Sequence, residues 1–316
     1  MHAFLKDLRY GSRGLVRDPG FAAVAVLILA LGIGACTTVF SWIDGVLLRP
    51  IPGVAGAHEL AAFETLAANG EFITNSYPDY RDYRDHLTLV AGLAAAQPTV
   101  LSIGEEDRPE QVWGELVSGN YFAVLGVRPV VGRAFLPEEY GDKPGAYPVA
   151  VISHRLWRAR FHSGPGVVGR TVRLNRRELT VVGVAPPDFR GTIAGLAFDV
   201  WAPLMMGPQL NGTGEWMLRD RKTRQLGAVA RLKPGVTLEQ ARAEIAELAR
   251  QLGRTYPYEN GGISATVLPL WKSHFGAQGL LLGPLQILMA LSIVVLLIVC
   301  ANVGNLLLAR ATARQR

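Results

Sequence analysis

Cysteine is almost absent from this chain of 316 residues, and its two cysteines, Cys36 and Cys300, both lie in apolar stretches. The long polar segment between these stretches contains no cysteine, so it cannot form a disulfide. About 230 residues are enough to bury a hydrophobic core. We therefore expect the polar segment to be stabilised by its core alone.

Motifs of nucleotide binding and catalysis are also missing. No glycine is followed by lysine, which excludes a phosphate-binding P-loop, and G-x-S-x-G, H-E-x-x-H and C-x-x-C do not occur. Of the six histidines, His154 and His162 could share a helix face, but no carboxylate or cysteine is spaced to complete a metal site. We predict a protein that is not an enzyme, with no catalytic residues, cofactor or metal, and interpret both histidines as surface residues.

Positive charge is in excess, with a formal net charge of +6, but the excess lies at the two ends of the chain. Residues 1–18 and 310–316 hold seven of the 32 basic residues, and 49–279 holds 25 basic and 23 acidic residues. A nearly neutral domain gives no reason to expect nucleic-acid binding.

Two apolar stretches without any Asp, Glu, Lys or Arg, Pro19–Ile43 and Ser273–Ala309, are the main feature that is present. Each exceeds the roughly 20 residues that a helix needs to cross about 30 Å of hydrocarbon. We predict transmembrane helices over 19–48 and 280–309. Asp44 falls late in the first helix, where the outer interface can hydrate it.

The basic flanks predict the orientation of these helices. Short basic flanks stay in the cytoplasm, so both termini are expected inside and 49–279 outside the inner membrane. A cleaved leader is the alternative for the first stretch, because Ile33–Cys36 resembles a lipoprotein-processing site. The apolar pattern continues for three further turns after Cys36, which favours a span.

Residues 1–18 are predicted to form an amphipathic helix on the cytoplasmic membrane surface. Apolar side chains fall on one arc of a helical wheel, and the adjoining arc holds Lys6, Arg9, Arg13 and Arg17. A basic leader that only sets the topology is the alternative.

Small and polar residues within the spans indicate helix packing. Gly34 and Thr38 form a small-xxx-small pair that permits close helix contact. Asn302 and Asn305 lie three residues apart on one face of the second span, and an amide in lipid is costly unless it is partnered. We expect all four residues to pack against another helix, with the Gly34–Thr38 surface as a partner for the asparagines. Direct contact with a substrate is the alternative.

The exported segment shows interleaved helix and strand signals, which predict an α+β domain. Helices are predicted at 79–86, 120–125, 154–162 and from 238, the last opened by a capping box of Thr237 and Gln240. Strands are predicted at 111–117, 149–152, 171–174, 179–184, 226–232 and 263–268, with a hairpin at Asn175–Arg176.

The predicted helix at 79–86 carries charges and tyrosines. Asp79, Asp82 and Asp85, with two arginines between them, are interpreted as a solvated face with local ion pairs. Tyr77, Tyr80 and Tyr83 lie around the other side, and an aromatic shelf for a ligand is the alternative.

Many segments, in order, resemble macrolide-exporter-type (MacB/FtsX-like) ABC permeases, particularly the duplicated orphan permeases of that family. The resemblance covers nearly the whole chain, beginning with its N-terminal portion, and rests on DLRYGSRGLVRDPGFAAVAVLILALGIGA, SYPDYRDYRD, GELVSGNYFAVLGVRPVVGRAF, PVAVISHRLWRARF, VVGRTVRLNRRELTVVGVAPPDFRG and CANVGNLLLARA.

The resemblance implies a MacB-like periplasmic core domain over 49–279, with a membrane-proximal porter-like part and an inserted sabre-like subdomain at about 97–198. The family often has asparagine at the position of Cys36 and alanine at that of Gly304, so local helix packing is expected to differ. The family continues into a coupling segment and further spans, so 310–316 is expected to be a truncated cytoplasmic tail.

The function that the resemblance implies is that of a permease subunit, or a fragment of one, in efflux or mechanotransmission. A separate ABC ATPase would hydrolyse ATP at the cytoplasmic face, and the permease would pair as a homodimer or with a related permease. Its exported domain would act on a periplasmic adaptor or other partner.

Two other classes of function stay open on the residues alone. A two-span membrane sensor with a periplasmic ligand-binding domain would continue past the second span into signalling helices, whereas a permease would continue into more spans. A membrane-anchored periplasmic enzyme would need a catalytic constellation, and the sequence contains none of the motifs sought.

Overall fold

The computed structural model describes residues 19–44, 51–104, 109–193, 195–212, 214–275 and 277–313. Within these ranges the helices are α1 Pro19–Ile43, α2 Tyr77–His86, α3 Tyr121–Leu125, α4 His154–Phe161, α5 Gly207–Asn211, α6 Leu238–Thr255, α7 Pro257–Asn260 and α8 Ala277–Ala313. The strands are β1 Leu60–Leu66, β2 Phe72–Ile73, β3 Asn75–Ser76, β4 Val90–Ile103, β5 Glu110–Val117, β6 Val131–Gly132, β7 Val149–Ile152, β8 Thr171–Leu174, β9 Arg177–Val184, β10 Val200–Pro203, β11 Arg224–Leu232 and β12 Ser264–Pro269.

Helices α1 and α8 are apolar on all sides. Val26–Ile43 in α1 and Gly283–Asn305 in α8 are long and apolar enough to cross a membrane, and hardly any of these residues is buried within the protein. An apolar helix that is not covered by protein is typical of a membrane span. The two helices form one compact unit, and Arg49–Gly279 forms a second.

The second unit is built on one mixed β-sheet. Along the main path of described strands the order is β12-β1-β11-β4-β5-β10-β7-β9-β6, with β2, β3 and β8 paired at its sides. Most pairs are antiparallel, but β10 runs parallel to β5 and β9 runs parallel to β7. The predicted mixture of helices and strands is confirmed.

The long strand β4 connects two halves of this sheet. Its residues up to Ala96 pair with β11, and those from Ala96 to Ile103 pair with β5. Strands β1, β11 and β12 lie on one side of β4, and β5 to β10 follow on the other. The predicted insertion at 97–198 begins beside this change of partner, and its boundaries stay a prediction.

Both faces of the sheet are covered, because alternate side chains of a strand point to opposite faces. On β4, Leu93 and Ala95 belong to a large core beneath α2 and α6, whereas Ala94 and Ala96 belong to a second, aromatic-rich cluster. This aromatic cluster is formed around Tyr121, Phe122, Phe135, Phe189, Phe198 and Trp201.

The predicted capping box and hairpin are confirmed. The Gln240 N–H donates to Thr237 Oγ1 at 3.2 Å, and the Thr237 N–H donates to Gln240 Oε1 at 2.9 Å, which completes the capping box of α6. Asn175 and Arg176 take φ values of 44° and 67°, as a tight turn between β8 and β9 requires.

The interpretation of α2 as a solvated face was wrong for Asp79, and the alternative of an aromatic shelf is excluded as well. Asp79 is not solvated but only 2% exposed, because ion-pair partners from other elements reach it. Tyr77, Tyr80 and Tyr83 are buried in the core, so they offer no aromatic shelf to a ligand.

Candidate functional site

The apolar helices contact one another on a face of α1 other than the predicted Gly34–Thr38 surface. A Cβ atom at Gly32 would lie 3.3 Å from Leu296 Cδ1, so glycine at this position lets α8 approach closely. One turn further along, the Cys36 thiol donates to the Ser292 carbonyl oxygen at 3.3 Å. The two helices therefore contact one another along Gly32 and Cys36.

The four residues predicted to pack between helices lie elsewhere. Gly34, Thr38, Asn302 and Asn305 are exposed within the single chain, and a Cβ atom at Gly34 would have no neighbour within 4 Å. The Gly34 surface thus does not receive the asparagines of the same chain. Their packing against a helix of another chain stays a prediction.

The predicted membrane-surface residues Lys6, Arg9, Arg13 and Arg17 lie outside the described residues. Among the histidines, His154 is half-buried on α4 with its ring 5.3 Å from that of Trp157, and His162 is an exposed residue at the end of the same helix. No group of three potential metal ligands occurs within the residues that the structure describes.

The segment that precedes α8 is fixed to the sheet by a buried carboxylate. Glu64 on β1 is only 1% exposed, and its Oε1 accepts a hydrogen bond from the His274 N–H at 2.6 Å. Its Oε2 lies 2.7 Å from His274 Nδ1, and the ring of His274 stacks on Phe72 with centroids 5.7 Å apart. A buried carboxylate is costly unless it is partnered, so Glu64 strongly favours this position of His274.

The next residue, Phe275, is fixed by packing. Its ring occupies the space beside Gly227 on β11, where a Cβ atom would come within 2.3 Å of the ring. Phe275 also packs against the aromatic-rich cluster. Glycine at position 227 therefore leaves room for the Phe275 ring against β11.

The segment that follows α1 is fixed to the same strand by Arg231. From β11, the Arg231 guanidinium donates to Ala55 O at 2.8 Å and to Glu59 Oε2 at 2.5 Å. Its Nε donates to Val124 O at 2.6 Å, which adds the end of α3 to the same contact. A planar guanidinium can donate to several oxygens at once with little loss of side-chain conformational entropy.

We call this set of contacts the span junction, formed by Ala55, Glu59, Glu64, Gly227, Arg231, His274 and Phe275. It brings the chain segments adjoining both apolar helices onto the neighbouring strands β1 and β11. These segments therefore contact two neighbouring interior strands of one sheet.

A second buried network joins α2 to the segment before β11. Arg221 donates to Asp79 and to Asp82, in each case at 2.6 Å, and its guanidinium stacks on the Tyr256 ring at 3.6 Å. Asp79 also pairs with Arg224 at 2.9 Å. Arg224 Nη1 is buried without a hydrogen-bond partner among the described residues, so the network is incompletely satisfied.

Glu115 is an isolated buried acid on β5. It accepts hydrogen bonds from Tyr121 Oη and Trp201 Nε1, both at 2.8 Å, and from Thr192 Oγ1 at 3.3 Å. Burial raises the pKa of Glu115 to about 7, and these hydrogen bonds offset part of that rise. With uncharged partners, this carboxyl group can change its protonation near neutral pH.

Two open clefts lie on the exported unit. One of about 480 Å³ is lined by residues of β8, α5 and the end of β4, and one of about 370 Å³ lies between α2 and the segment 137–142. In the second cleft, Tyr77 donates to Asp142, and Arg84 pairs with Asp142 at 3.3 Å. Its charged groups already have partners, so it offers no evident catalytic arrangement.

Comparison with known proteins identifies the family of the exported unit. Residues 22–248, more than half of the chain, match the family model of the MacB-like periplasmic core domain. The chain belongs to this family. The resemblance to MacB/FtsX-like permeases, inferred above from the quoted segments, is confirmed. The protein is an inner-membrane protein with its MacB-like domain outside the cytoplasm.

Solved structures similar to this chain include the extracellular domain of YknZ, a noncanonic ABC-type transporter from Gram-positive bacteria, at 13% identity and a TM-score of 0.48, covering 66% of this chain and 99% of that one. The periplasmic region of MacB from Actinobacillus actinomycetemcomitans has 14% identity and a TM-score of 0.47, with coverage of 69% and 91%. A domain of a proposed permease from Porphyromonas gingivalis has 16% identity and a TM-score of 0.48, with coverage of 67% and 89%. No curated protein sequence matches this chain.

Proposed function

We propose that this MacB-like protein is a permease subunit of an ABC transporter, or a part of one, and that it relays movement of its spans to its exported domain. The observation that carries the proposal is the family match, which runs from α1 through most of the exported unit. The span junction supports it, because the segments adjoining both apolar helices are fixed to β1 and β11.

In this mechanism the chain itself supplies no chemistry. A separate ABC ATPase at the cytoplasmic face binds and hydrolyses ATP, and the resulting movement of α1 and α8 pulls on the span junction. Because β11 pairs with β4, and β4 continues into the other half of the sheet, the displacement would reach both halves. The exported domain would then act in efflux or in mechanotransmission to a periplasmic adaptor.

We also propose the arrangement of the subunit in the membrane. Both termini are cytoplasmic, as the basic residues flanking the spans favour. Two copies, or one copy and a related permease, associate through the spans, with Gly34, Thr38, Asn302 and Asn305 available on the surface of the helix pair. Alkaline phosphatase fused after Gly145 should be active, and fused after Arg316 it should be inactive.

The relay can be tested by distance measurements on the full chain in lipid nanodiscs. Nitroxide labels would be placed at Tyr258→Cys on α7, shortly before β12, and at Val130→Cys, directly before β6, in a Cys36→Ser, Cys300→Ser background. Both residues are exposed. With the ATPase that co-purifies from native membranes, ATP and vanadate should shift the distance distribution.

The same sample without the ATPase is the control, and ATP should then change nothing. Saturable ATP binding by the purified chain alone would contradict the assignment as a permease subunit. A shift caused by a periplasmic extract without nucleotide would instead support a sensor.

A further inference from the structure

A tryptophan and a lysine project together from the turn that precedes α8. Leu270–Lys272 forms a single 3-10 turn directly after β12. Leu270 packs against the aromatic-rich cluster, whereas Trp271 is 38% exposed and Lys272 is exposed. Lys272 Nζ lies 4.8 Å from the centre of the Trp271 ring. An aromatic ring and a cation therefore share one outward-facing surface.

This turn is held in place on both sides. Pro269, its preceding residue, pairs with Ala61 on β1, and the Ser273 N–H donates to Leu270 O at 3.1 Å. The following residues, His274 and Phe275, belong to the span junction. Because the backbone is fixed before and after the turn, Trp271 and Lys272 cannot turn into the core without breaking these contacts.

The turn is close to a membrane span along the chain. Trp271 stands six residues before Ala277, where α8 begins, and the apolar residues of α8 start at Leu280. An extended chain covers about 3.3–3.6 Å per residue, so Trp271 lies within roughly 20 Å of the start of α8. The other apolar helix also has a tryptophan in its last turn, Trp42, which is 61% exposed.

The chemistry of the pair fits the interfacial region of a bilayer. Tryptophan is enriched at membrane interfaces, where its ring lies at the level of the headgroups and its N–H stays hydrated. A lysine at the same level is attracted to anionic lipid phosphates, and its attraction falls with ionic strength.

We propose that Trp271 and Lys272 form a lipid anchor, in which the Trp271 ring inserts among the headgroups of the leaflet that α8 enters and Lys272 pairs with a lipid phosphate. The anchor holds the β12 end of the sheet at the membrane surface. The anchor adds a lipid contact to the contacts of the span junction. It requires that α8 is embedded in the bilayer, but it does not require an ATPase.

Fluorescence quenching tests the position of Trp271. The full chain would be placed in nanodiscs whose lipids carry bromine at the headgroup end of the acyl chains, and the quenched part of the tryptophan emission measured. Trp271→Phe should reduce this quenched part. Trp216→Phe is the matched control, because Trp216 is 60% exposed but lies far along the chain from either apolar helix, and it should leave the quenched part unchanged.

An equal quenched part in wild type and Trp271→Phe would overturn the proposal. It would not affect the proposed permease function, which is tested by the ATP-dependent distances. Conversely, loss of quenching only in Trp271→Phe would support the anchor even where no ATPase couples to the chain.

The role of Lys272 is tested by changing lipid charge. Quenching attributable to Trp271 should be severalfold greater in nanodiscs of phosphatidylglycerol than in phosphatidylcholine, and this ratio should fall to about one in Lys272→Gln. Lys233→Gln, at another exposed lysine, should keep the ratio of the wild type. A ratio unchanged in Lys272→Gln would refute the phosphate contact.

Discussion

Glu64 and His274 are 210 positions apart in the chain, yet the buried carboxylate of Glu64 binds both the backbone N–H and the ring Nδ1 of His274. One acid thereby orients the last turn before α8. Because an ionised carboxylate can only accept hydrogen bonds, an ionised Glu64 requires that Nδ1 of His274 carry the proton of the ring contact. The pair links β1 directly to the chain segment that precedes the second apolar helix.

Replacing Glu64 should release this segment. Glu64→Ala leaves the His274 N–H without its acceptor and opens a cavity in β1, so we expect the free energy of unfolding to fall by about 1–3 kcal/mol. Hydrogen exchange at residues 272–275 should accelerate. Glu71→Ala, on an exposed turn, is the control and should leave exchange there unchanged. Unaltered exchange in Glu64→Ala would show that the segment is fixed by Phe275 alone.

Replacing Arg231 should release the other segment. Arg231→Lys keeps the charge but loses the planar fork that binds Ala55 O and Glu59 together, so exchange at residues 54–59 should accelerate. Arg250→Lys is the matched control, because Arg250 pairs with Glu247 on the surface of α6. If hydrogen exchange at residues 54–59 is equally slow in both variants, the contacts of Arg231 do not hold this segment.

Glu115 should make the stability of the exported domain depend on pH. Its folded-state pKa of about 7 exceeds the ordinary value of 4.5, so the folded state binds the proton more tightly than the unfolded state does. Stability from this group is fully present below pH 4.5 and is lost as pH rises to 7. The full loss is about 3 kcal/mol.

Glu115→Gln keeps a neutral group of the same size in this position and should remove that pH dependence. Chemical unfolding of the full chain in detergent at pH 5, 6, 7 and 8 gives the comparison. Glu178→Gln, at an exposed position of β9, should retain the wild-type profile. A slope that survives in Glu115→Gln would assign the pH dependence to another group.

Asp79 should be more important for stability than its neighbours on α2. Asp79→Asn weakens the pairing of two buried guanidinium groups, those of Arg221 and Arg224, and breaking a buried ion pair typically costs about 3–5 kcal/mol. Asp85→Asn should cost well under 1 kcal/mol, because Asp85 is half-exposed. Unfolding midpoints that shift equally in the two variants would contradict the burial of Asp79.

Local signals in the sequence were sufficient for the capping box of α6, the hairpin and six of the twelve described strands. Thr237 and Gln240, or Asn175 and Arg176, act within a few residues of one another, so their chemistry determines the local backbone. The same holds for the two spans, whose length and lack of charge are properties of a single continuous stretch.

Strands β1 and β4 were not predicted from the sequence, and the reason is physical. Both have a neighbouring strand on each side and are covered on both faces, so they show no alternation of apolar and polar residues. β4 also contains Ala94–Ala96 and Pro98, residue types that disfavour strands. Its length comes from pairing with β11 and then β5, which only the complete fold provides.

The span junction could not be predicted from the sequence either, because the residues that contact one another in it are distant in the chain. One signal was available: Glu64 is the single charged residue in the apolar run Leu60–Leu66, and a charge in a buried strand requires a partner. The identity of that partner depends on where β1 and the end of β12 meet. Similarly, the choice of Gly32 over Gly34 as the contact between spans depends on the rotation of each helix about its axis, which composition does not determine.

Two faces of the helix pair should therefore respond differently to substitution. Gly32→Leu places a side chain against Leu296, and it should separate α1 from α8 within one chain. A Cβ atom at Gly34 would meet no atom within 4 Å, so Gly34→Leu should leave the contact between α1 and α8 intact. Crosslinking between Ile33→Cys and Val299→Cys, in a Cys36→Ser, Cys300→Ser background, should fall in the first variant and not in the second.

Association between chains should instead depend on Asn302 and Asn305. Both amides are exposed on α8, and pairing of such groups across helices contributes about 0.6–2 kcal/mol each in a membrane. Asn302→Leu with Asn305→Leu should lower the dimer fraction of the full chain, measured by single-molecule photobleaching in vesicles at several protein-to-lipid ratios. The exported domain should stay folded, as judged by its circular dichroism.

Replacing both residues with Gln retains the amides and is the control, with association expected between that of wild type and the leucine variant. If the leucine variant associates as well as wild type, and an apolar membrane probe labels cysteines at 302 and 305 freely, the asparagines face lipid and the proposed helix interface lies elsewhere.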